Sequence, residues 1–336
     1  MADDPAAPDP PFEHAPVMVE LIVELLRDVP DGIFVDATLG GGGHAEAVLH
    51  AHPGLRLLGL DRDDVAIAAA TRRLARFGDR VRIVRSGFDQ LERIVGEALG
   101  GSGSATDPSD PYPATEGVSA VLFDLGVSSP QLDEMERGFS YRSGAPLDMR
   151  MDRRQAFSAV DVVNEYSFPQ LARVIETYGE ERFARRIARA IVDARPIRDT
   201  GHLAEVVRSA IPAATRRHGG HPAKRTFQAI RIEVNRELDQ LAEALDGAMA
   251  VLAPGGRMVV MSYHSLEDRM VKQTLRDAET GGCTCPPALP CVCGAEPTVR
   301  LLKRGAWKAD EAEIALNRRA ESVRVRAAER LIPESA

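Results

Sequence analysis

Gly117-Val-Ser-Ala-Val-Leu-Phe-Asp124-Leu-Gly-Val-Ser128-Ser129-Pro130-Gln131 is the stretch whose reading decides the fold. The segment 118–123 is a short, largely apolar run, the pattern of a strand buried on both faces. It ends in one carboxylate, Asp124, on a loop of Gly, Ser and Pro. In open α/β sheets ligands sit beyond the carboxyl ends of the strands, so an acid there faces a ligand rather than the core. A matching segment lies upstream, Ile33-Phe-Val-Asp36-Ala-Thr-Leu-Gly40-Gly-Gly-Gly43-His44, where another strand ends in an acid and a glycine cluster opens a helix.

Strands and helices alternate around these two. Apolar residues at helical spacing over 16–26 feed the strand 33–37, and the glycine loop leads into a helix over 45–50. Strand 55–60 ends at Asp61 and precedes a helix over 65–76; strand 80–85 leads through Ser86-Gly87-Phe88-Asp89 into a helix over 91–99. This alternation predicts an α/β fold with a doubly wound, Rossmann-like parallel sheet. Residues 100–117 read as a low-complexity linker to which no function is assigned. From 135 to 224 the alternation gives way to helices, clearest over 168–178, 181–194 and 202–211. A helix over 226–252, a strand over 256–262 and a last strand candidate over 322–327 close the chain. The expected organisation is a sheet domain from 14–134 and 225–330, interrupted by a helical domain at 135–224.

Composition narrows the class. The chain has 336 residues, 44% hydrophobic and 27% charged, with no apolar run approaching the length of a membrane span. The segment 1–13 is acidic and rich in proline, unlike a secretory signal, so a disordered tail on a cytoplasmic protein is expected. Net charge is −8, yet between Met135 and Arg231 eighteen Lys and Arg face eleven Asp and Glu, a local +7 within a remainder of −15. A basic segment inside an acidic chain is a candidate polyanion footprint, or else a solvated helical face. Within it Arg182, Arg185, Arg186 and Arg189 recur at helical spacing opposite Phe183, Ile187 and Ile191, a candidate phosphate-contacting stripe. All four cysteines, Cys283, Cys285, Cys291 and Cys293, fall in one short stretch. Clustering of this kind favours metal binding or redox chemistry over structural disulfides, and four thiolates suit a closed structural zinc site.

The glycine loop alone is ambiguous, because Gly40-x-Gly42-x-x-Ala45 also satisfies a dinucleotide-binding pattern. Asp36 tilts the reading: a nearby acid repels a pyrophosphate but suits S-adenosylmethionine (SAM), which has no phosphate and carries a positive sulfonium and amine. Asp61 then suits the ribose hydroxyls, and Phe88 would stack on or flank the adenine. Asp124 carries the chemistry. An exocyclic amine on a base is a poor nucleophile, and an acceptor carboxylate holds its N–H hydrogens and stabilises the charge that develops on methyl transfer. The bland reading of Asp124 is a turn cap. Ser262-Tyr263-His264 follows the strand 256–262, which makes Tyr263 and His264 further site candidates; His264 would touch substrate, or cap or brace the loop.

Several blocks together resemble the MraW (RsmH) family of bacterial small-subunit rRNA cytosine-N4 methyltransferases. They are Asp36-Ala-Thr-Leu-Gly-Gly-Gly-Gly-His44, Asp124-Leu-Gly-Val-Ser-Ser-Pro-Gln-Leu-Asp133, Arg137-Gly-Phe-Ser140, Pro146-Leu-Asp-Met-Arg-Met-Asp152, Tyr178-Gly-Glu-Glu-Arg-Phe-Ala184, Arg225-Thr-Phe-Gln-Ala229 and His264-Ser-Leu-Glu-Asp-Arg269. The resemblance runs from about His14 to Arg330. It implies a class I SAM-dependent methyltransferase fold with a helical insert, methylating N4 of cytidine 1402 in 16S rRNA near the ribosomal P site. It also implies that Gly42, Gly43, His44, Asp61, Phe88, Asp124 and Gln131 bind SAM, with 16S rRNA or the small subunit as partner. The cysteine cluster and the linker depart from the family pattern, as does Asn317-Arg-Arg-Ala-Glu-Ser322, where Asn-Pro-Arg-Ala-Arg-Ser is typical. Alternatives are a SAM-dependent amino-methyltransferase of DNA or tRNA, a non-catalytic SAM- or RNA-binding assembly factor and, more distantly, a nicotinamide dehydrogenase.

Overall fold

The computed structural model describes residues 16–100, 117–126, 135–141, 144–213, 221–286 and 292–333. The tail at 1–13, the linker between Gly100 and Gly117, Gln131 and Cys291 thus lie outside the described residues. Seven strands form one sheet: β1 (Gly32–Asp36), β2 (Leu55–Asp61), β3 (Val81–Arg85), β4 (Val118–Asp124), β5 (Leu252–Ser262), β6 (Val299–Leu301) and β7 (Arg324–Arg330). Their order is β3-β2-β1-β4-β5-β7-β6. β1 to β5 pair in parallel, while β7 runs antiparallel to both β5 and β6. This is the class I methyltransferase fold, and its strand order reverses between β1 and β4.

Helices α1 (Val19–Leu25), α2 (Gly43–Ala51), α3 (Asp64–Leu74) and α4 (Leu91–Leu99) connect the first strands. Between β4 and β5 come α5 (Ala159–Glu165), α6 (Phe168–Gly179), α7 (Ala184–Asp193), α8 (Thr200–Ala210), α9 (Lys224–Asn235) and α10 (Glu237–Val251). α11 (Ser265–Thr280) and the short α12 (Glu311–Leu316) follow β5. No described helix is long and apolar enough to cross a membrane.

The two-residue period of extended chain sorts each strand between two cores. Phe34, Leu57 and Leu122 pack with Ile22, Leu49 and Leu74 on one face. Val35, Leu58 and Phe123 pack with Ile94 of α4, Leu245 of α10 and Val271 of α11 on the other. Residues of β4 before Asp124 are buried throughout, as expected of a central strand covered on both sides.

A third core belongs to the helices between β4 and β5. Capping boxes start α5 (Ser158 with Asp161) and α6 (Ser167 with Gln170), and Asp199 caps α8 by accepting from the His202 amide at 2.8 Å. Such caps satisfy amides that the helix itself leaves unpaired. Leu171, Ile175, Ile187, Ile191, Leu203 and Val207 fill the interior, joined by Phe227, Ile230 and Val234 of α9. The helical core therefore runs past the boundary expected at 224.

Two other expectations are corrected. The helix read over 226–252 is two helices, broken at Arg236 in the left-handed conformation (φ 50°). Asn235, 2% exposed, explains the break: its amide nitrogen donates to Met149 O and Arg231 O, and its Oδ1 accepts from the Met151 amide at 2.8 Å. The helix end is thereby pinned to a neighbouring loop. The last strand begins at Arg324 rather than 322, because Arg318–Ser322 coils into a 3-10 turn, and β6 was not foreseen at all.

Polar ties seat the helical region beside the sheet. Arg137, 2% exposed, pairs with Asp63 at 2.8 Å and donates to the carbonyls of Arg150 and Met151. Asp63 also caps α3 through the Val65 amide. Across the cavity, Glu180 accepts from Arg269 at 2.8 Å and from the Ser265 hydroxyl of α11.

Candidate active site

A cavity of about 920 Å³ opens over the carboxyl ends of β1 to β5, where the strand order reverses. Ligands of doubly wound sheets bind at this place. Gly40, Gly41, Gly43 and His44 form one wall, Asp61 and Phe88 another, and Asp124 and Tyr263 the floor. The helical region closes the opposite side with Phe139, Tyr141, Phe227 and Arg231.

Asp124 stands at the tip of β4. Its Oδ1 accepts from the Tyr263 hydroxyl at 2.8 Å, and its Oδ2 lies 3.6 Å from His44 Nδ1. Its backbone amide donates to Thr38 Oγ1 at 2.6 Å, which fixes the strand end against β1. Burial pushes the carboxyl above the ordinary range, while His44 and the Tyr263 hydrogen bond hold it back. Tyr263 in turn is pushed well above the usual phenol range, by burial first and then by the Asp124 charge. It therefore stays a neutral donor.

His44 faces two acceptors. Its Nε2 lies 2.9 Å from the Val17 carbonyl, so that nitrogen carries a hydrogen. In the neutral ring Nδ1 then presents a lone pair to Asp124.

The Asp61 carboxylate ties the glycine loop to β2. Its Oδ2 accepts from the Gly40 amide and its Oδ1 from the Asp63 amide, both at 2.8 Å. Each oxygen keeps a lone pair for a further donor from the cavity. Burial raises this group too, opposed by the same two amides. The glycines divide their roles. Gly42 (φ 76°) is the left-handed turn before α2: its amide donates to Leu39 O, and a Cβ would meet Leu74 and Ala70 of α3. Gly42 thus serves the turn, while Gly43 and His44 line the cavity. The Phe88 ring stands edge-on to Phe123 at 6.2 Å, with the Arg62 guanidinium over its face at 5.6 Å.

Asp36 sits lower than its reading as a cofactor neighbour implies. It is 2% exposed and absent from the cavity wall, and it accepts from the Thr38 amide at 3.2 Å. Burial, with Asp124 and Asp61 nearby, pushes it up to about 8. A carboxyl mostly neutral at pH 7 supplies little of the negative charge that sequence reasoning asked of it.

His264 lines the cavity and also caps α11. Its Nδ1 accepts from the Glu267 amide at 3.4 Å and its Nε2 lies 3.1 Å from Glu267 Oε1. Burial pushes Glu267 up, but His264, Arg231 and the Tyr263 amide outweigh it and hold the carboxyl below its usual range. Arg231 grips Glu237 through two contacts of 2.8 Å. The arginine stripe lies elsewhere, on the exposed side of α7. Arg185 and Arg189 sit over the Phe168 ring at 5.6 and 4.3 Å, and Arg182 over Phe183 at 4.6 Å. The sulfurs of Cys283, Cys285 and Cys293 gather within 4.8 Å of one another, and none of the three lines the cavity.

Sequence reasoning missed the far wall. Tyr141, stacked on His221 at 4.3 Å, and Gln228, whose amide donates to Tyr178 O, belong to loops and helix faces without a strand-end signature. Their only trace was their place inside or beside the Arg137-Gly-Phe-Ser140 and Arg225-Thr-Phe-Gln-Ala229 blocks. The divergent 317–322 segment also lines the cavity, with Asn317 capping its 3-10 turn.

The residues fit a SAM-sized ligand. A Cβ at Gly42 or Gly43 would crowd its neighbours, Asp61 offers two acceptor oxygens, and an aromatic ring stands at the β3 end. Comparison with known proteins agrees with this geometry. A family model described as the MraW methylase family matches residues 11–331. Ribosomal RNA small subunit methyltransferase H of Thermobifida fusca is 54% identical over 324 residues, covering 94% of this chain and 93% of that protein. The protein of the same name from Salinispora tropica is 53% identical over 332 residues, covering 95% and 85%. That from Heliobacterium modesticaldum is 47% identical over 325 residues, covering 95% and 99%. With a strand-end acid over the sheet's reversal point and a match along nearly its whole length, this chain belongs to the MraW methylase family.

Proposed function

We propose that this chain is a cytoplasmic SAM-dependent methyltransferase that modifies the N4 amino group of a cytidine in small-subunit rRNA, position 1402 of 16S rRNA. The observation that carries the reading is Asp124, a carboxylate held by Tyr263 and His44 at the junction of the glycine-loop wall and the far wall. The names of the relatives supply the substrate class.

SAM, when bound, supplies an electrophilic methyl group on a sulfonium. Asp61 would take the ribose hydroxyls, Gly43 and His44 would let the ligand approach the backbone, and Phe88 would flank the adenine. The chain's own task is to activate a weak nucleophile. The cytosine amine is flat because its lone pair is delocalised into the ring. Asp124 Oδ1 is engaged by Tyr263, so Oδ2 is the oxygen that accepts an N–H from the amine. That hydrogen bond favours a pyramidal nitrogen and stabilises the positive charge that grows as the new N–C bond forms. Burial makes Asp124 basic enough to receive the released proton. Phe139 and Tyr141 offer aromatic surface for the base, and the exposed stripe of Arg182, Arg185, Arg186 and Arg189 offers contacts to RNA phosphates.

The test is incubation with methyl-labelled SAM and small subunits lacking the modification, followed by nucleoside mass spectrometry. Label in N4-methylcytidine, lost in Asp124→Asn, is the expected result. Label in another nucleoside, or transfer only to DNA or tRNA, would overturn the assignment.

A further inference from the structure

Among the described residues, the segment between α11 and β6 buries no side chain of its own. From Gly281 to Thr298 no described residue is buried, and Val292 is 88% exposed. Its two ends nevertheless meet. The Gly282 amide donates to Asp277 O at 2.8 Å, and the Thr298 amide to Ala278 O at 2.9 Å. Gly281 (φ 62°) approaches the Glu296 backbone so closely that a Cβ would collide with it. Hydrogen bonds thus close the base of the loop, while none of its described residues joins an apolar core.

Three sulfurs fill that role. Those of Cys283, Cys285 and Cys293 lie within 4.8 Å of one another, and Cys283 Sγ and Cys293 Sγ are 3.6 Å apart. A disulfide brings its sulfurs to about 2.05 Å. Thiolates around a tetrahedral zinc, each about 2.3 Å from the metal, lie about 3.8 Å from each other. The observed spacing is close to the edge of such a tetrahedron. We propose that Cys283, Cys285 and Cys293 hold a structural zinc ion that serves as the core of this loop. All-sulfur donors select zinc over magnesium or calcium, which prefer oxygen. Each thiol loses its proton on binding, so uptake is coupled to pH, and the energy of coordination orders the loop as a hydrophobic core would.

The site lies outside the cavity wall, so its test does not depend on the methyltransferase assignment. The full chain, purified under reducing conditions with zinc supplied and excess removed, should carry about one zinc per chain by mass spectrometry of the metals. Cobalt replacing it should give the intense near-ultraviolet sulfur-to-metal band of thiolate ligation. Cys283→Ser and Cys293→Ser should each lose the metal and the band, whereas Thr284→Ala keeps both. Metal loss should also open the loop to limited proteolysis without changing SAM affinity. A folded wild-type chain that takes up neither zinc nor cobalt would refute the proposal. So would serine variants that retain the full cobalt band, or a Cys283–Cys293 disulfide persisting in reductant.

Discussion

Removing one oxygen tests the chemistry assigned to Asp124. The Tyr263 hydroxyl donates to Asp124 Oδ1 at 2.8 Å and is the one side-chain hydrogen bond holding that buried carboxyl back against the upward push of burial. A hydrogen bond to a charged group is worth roughly 1.5–3 kcal/mol. It favours the ionised form, and one pKa unit corresponds to about 1.4 kcal/mol. Tyr263→Phe should therefore push Asp124 further up, disfavouring the ionised form by roughly ten- to a hundredfold, while keeping the ring. If the carboxylate is the form that accepts the amine hydrogen, the acid limb of the single-turnover rate moves to higher pH by the same amount. The rate falls most at low pH and recovers as pH rises past the new limb. His44 and Glu267 also face this carboxyl, so the same profile in a His44→Asn background checks that the limb belongs to Asp124. Thermal unfolding of the variant confirms that the fold persists. A uniform loss of rate with the acid limb unmoved would refute the reasoning, because it would leave Tyr263 a packing residue and Asp124 ionised throughout.

Three further outcomes are expected. Asp36, pushed up to about 8, is mostly protonated when folded and ionised when unfolded near pH 7. Its contribution to stability is intact below about pH 4 and is lost as pH rises towards 8, roughly 4 kcal/mol by pH 7. Asp36→Asn should then be the more stable protein at pH 7, with an advantage that grows between pH 5 and 8 in urea unfolding. A pH-independent difference would argue that Asp36 is ionised in the fold. Asp61→Ala should weaken SAM binding at least tenfold by calorimetry, because charge-assisted hydrogen bonds of about 1.5–3 kcal/mol are lost; unchanged affinity in a folded variant would remove Asp61 from the site. The double change Arg185→Gln with Arg189→Gln should weaken RNA binding, flatten its salt dependence by somewhat under one log unit per contact, and spare SAM. A wild-type slope would return the stripe to solvated surface.

The strands and the acids at their ends were legible because their causes are local. Burial on both faces of β1, β2 and β4 writes short apolar runs into the chain, and a carboxylate marks where each of these strands ends. What escaped the sequence depends on partners far along it. Nothing near residue 235 announces a helix break, since the apolar pattern runs on unbroken; the cause is Asn235 bonding to Met149 and Met151. Gly42 reads as a ligand-contacting glycine until α3 packs against it and assigns it to the turn. Asp36 reads as a charge until its burial beneath the cavity mostly neutralises it at pH 7.

The same distinction explains how the two halves of the cavity stay in register. The catalytic wall rests on strand ends that the sheet fixes. The far wall rests on helices with a separate core, and only a few polar ties join them. Arg137 reaches Asp63, two residues beyond Asp61, so the cofactor end of β2 and the loop carrying Phe139 are anchored through one buried ion pair. Glu180, at the end of α6, reaches Arg269 on α11, the last residue of the block that begins at His264. The exposed Glu180–Arg269 pair adds little, but leaving one member of the buried Arg137–Asp63 pair without its partner costs about 3–5 kcal/mol. Such pairs cannot slide as apolar contacts can, because a small displacement strands a charge. The aromatic far wall is thereby held at a fixed reach from Asp124, as the proposed short transfer between two ligands on opposite walls demands.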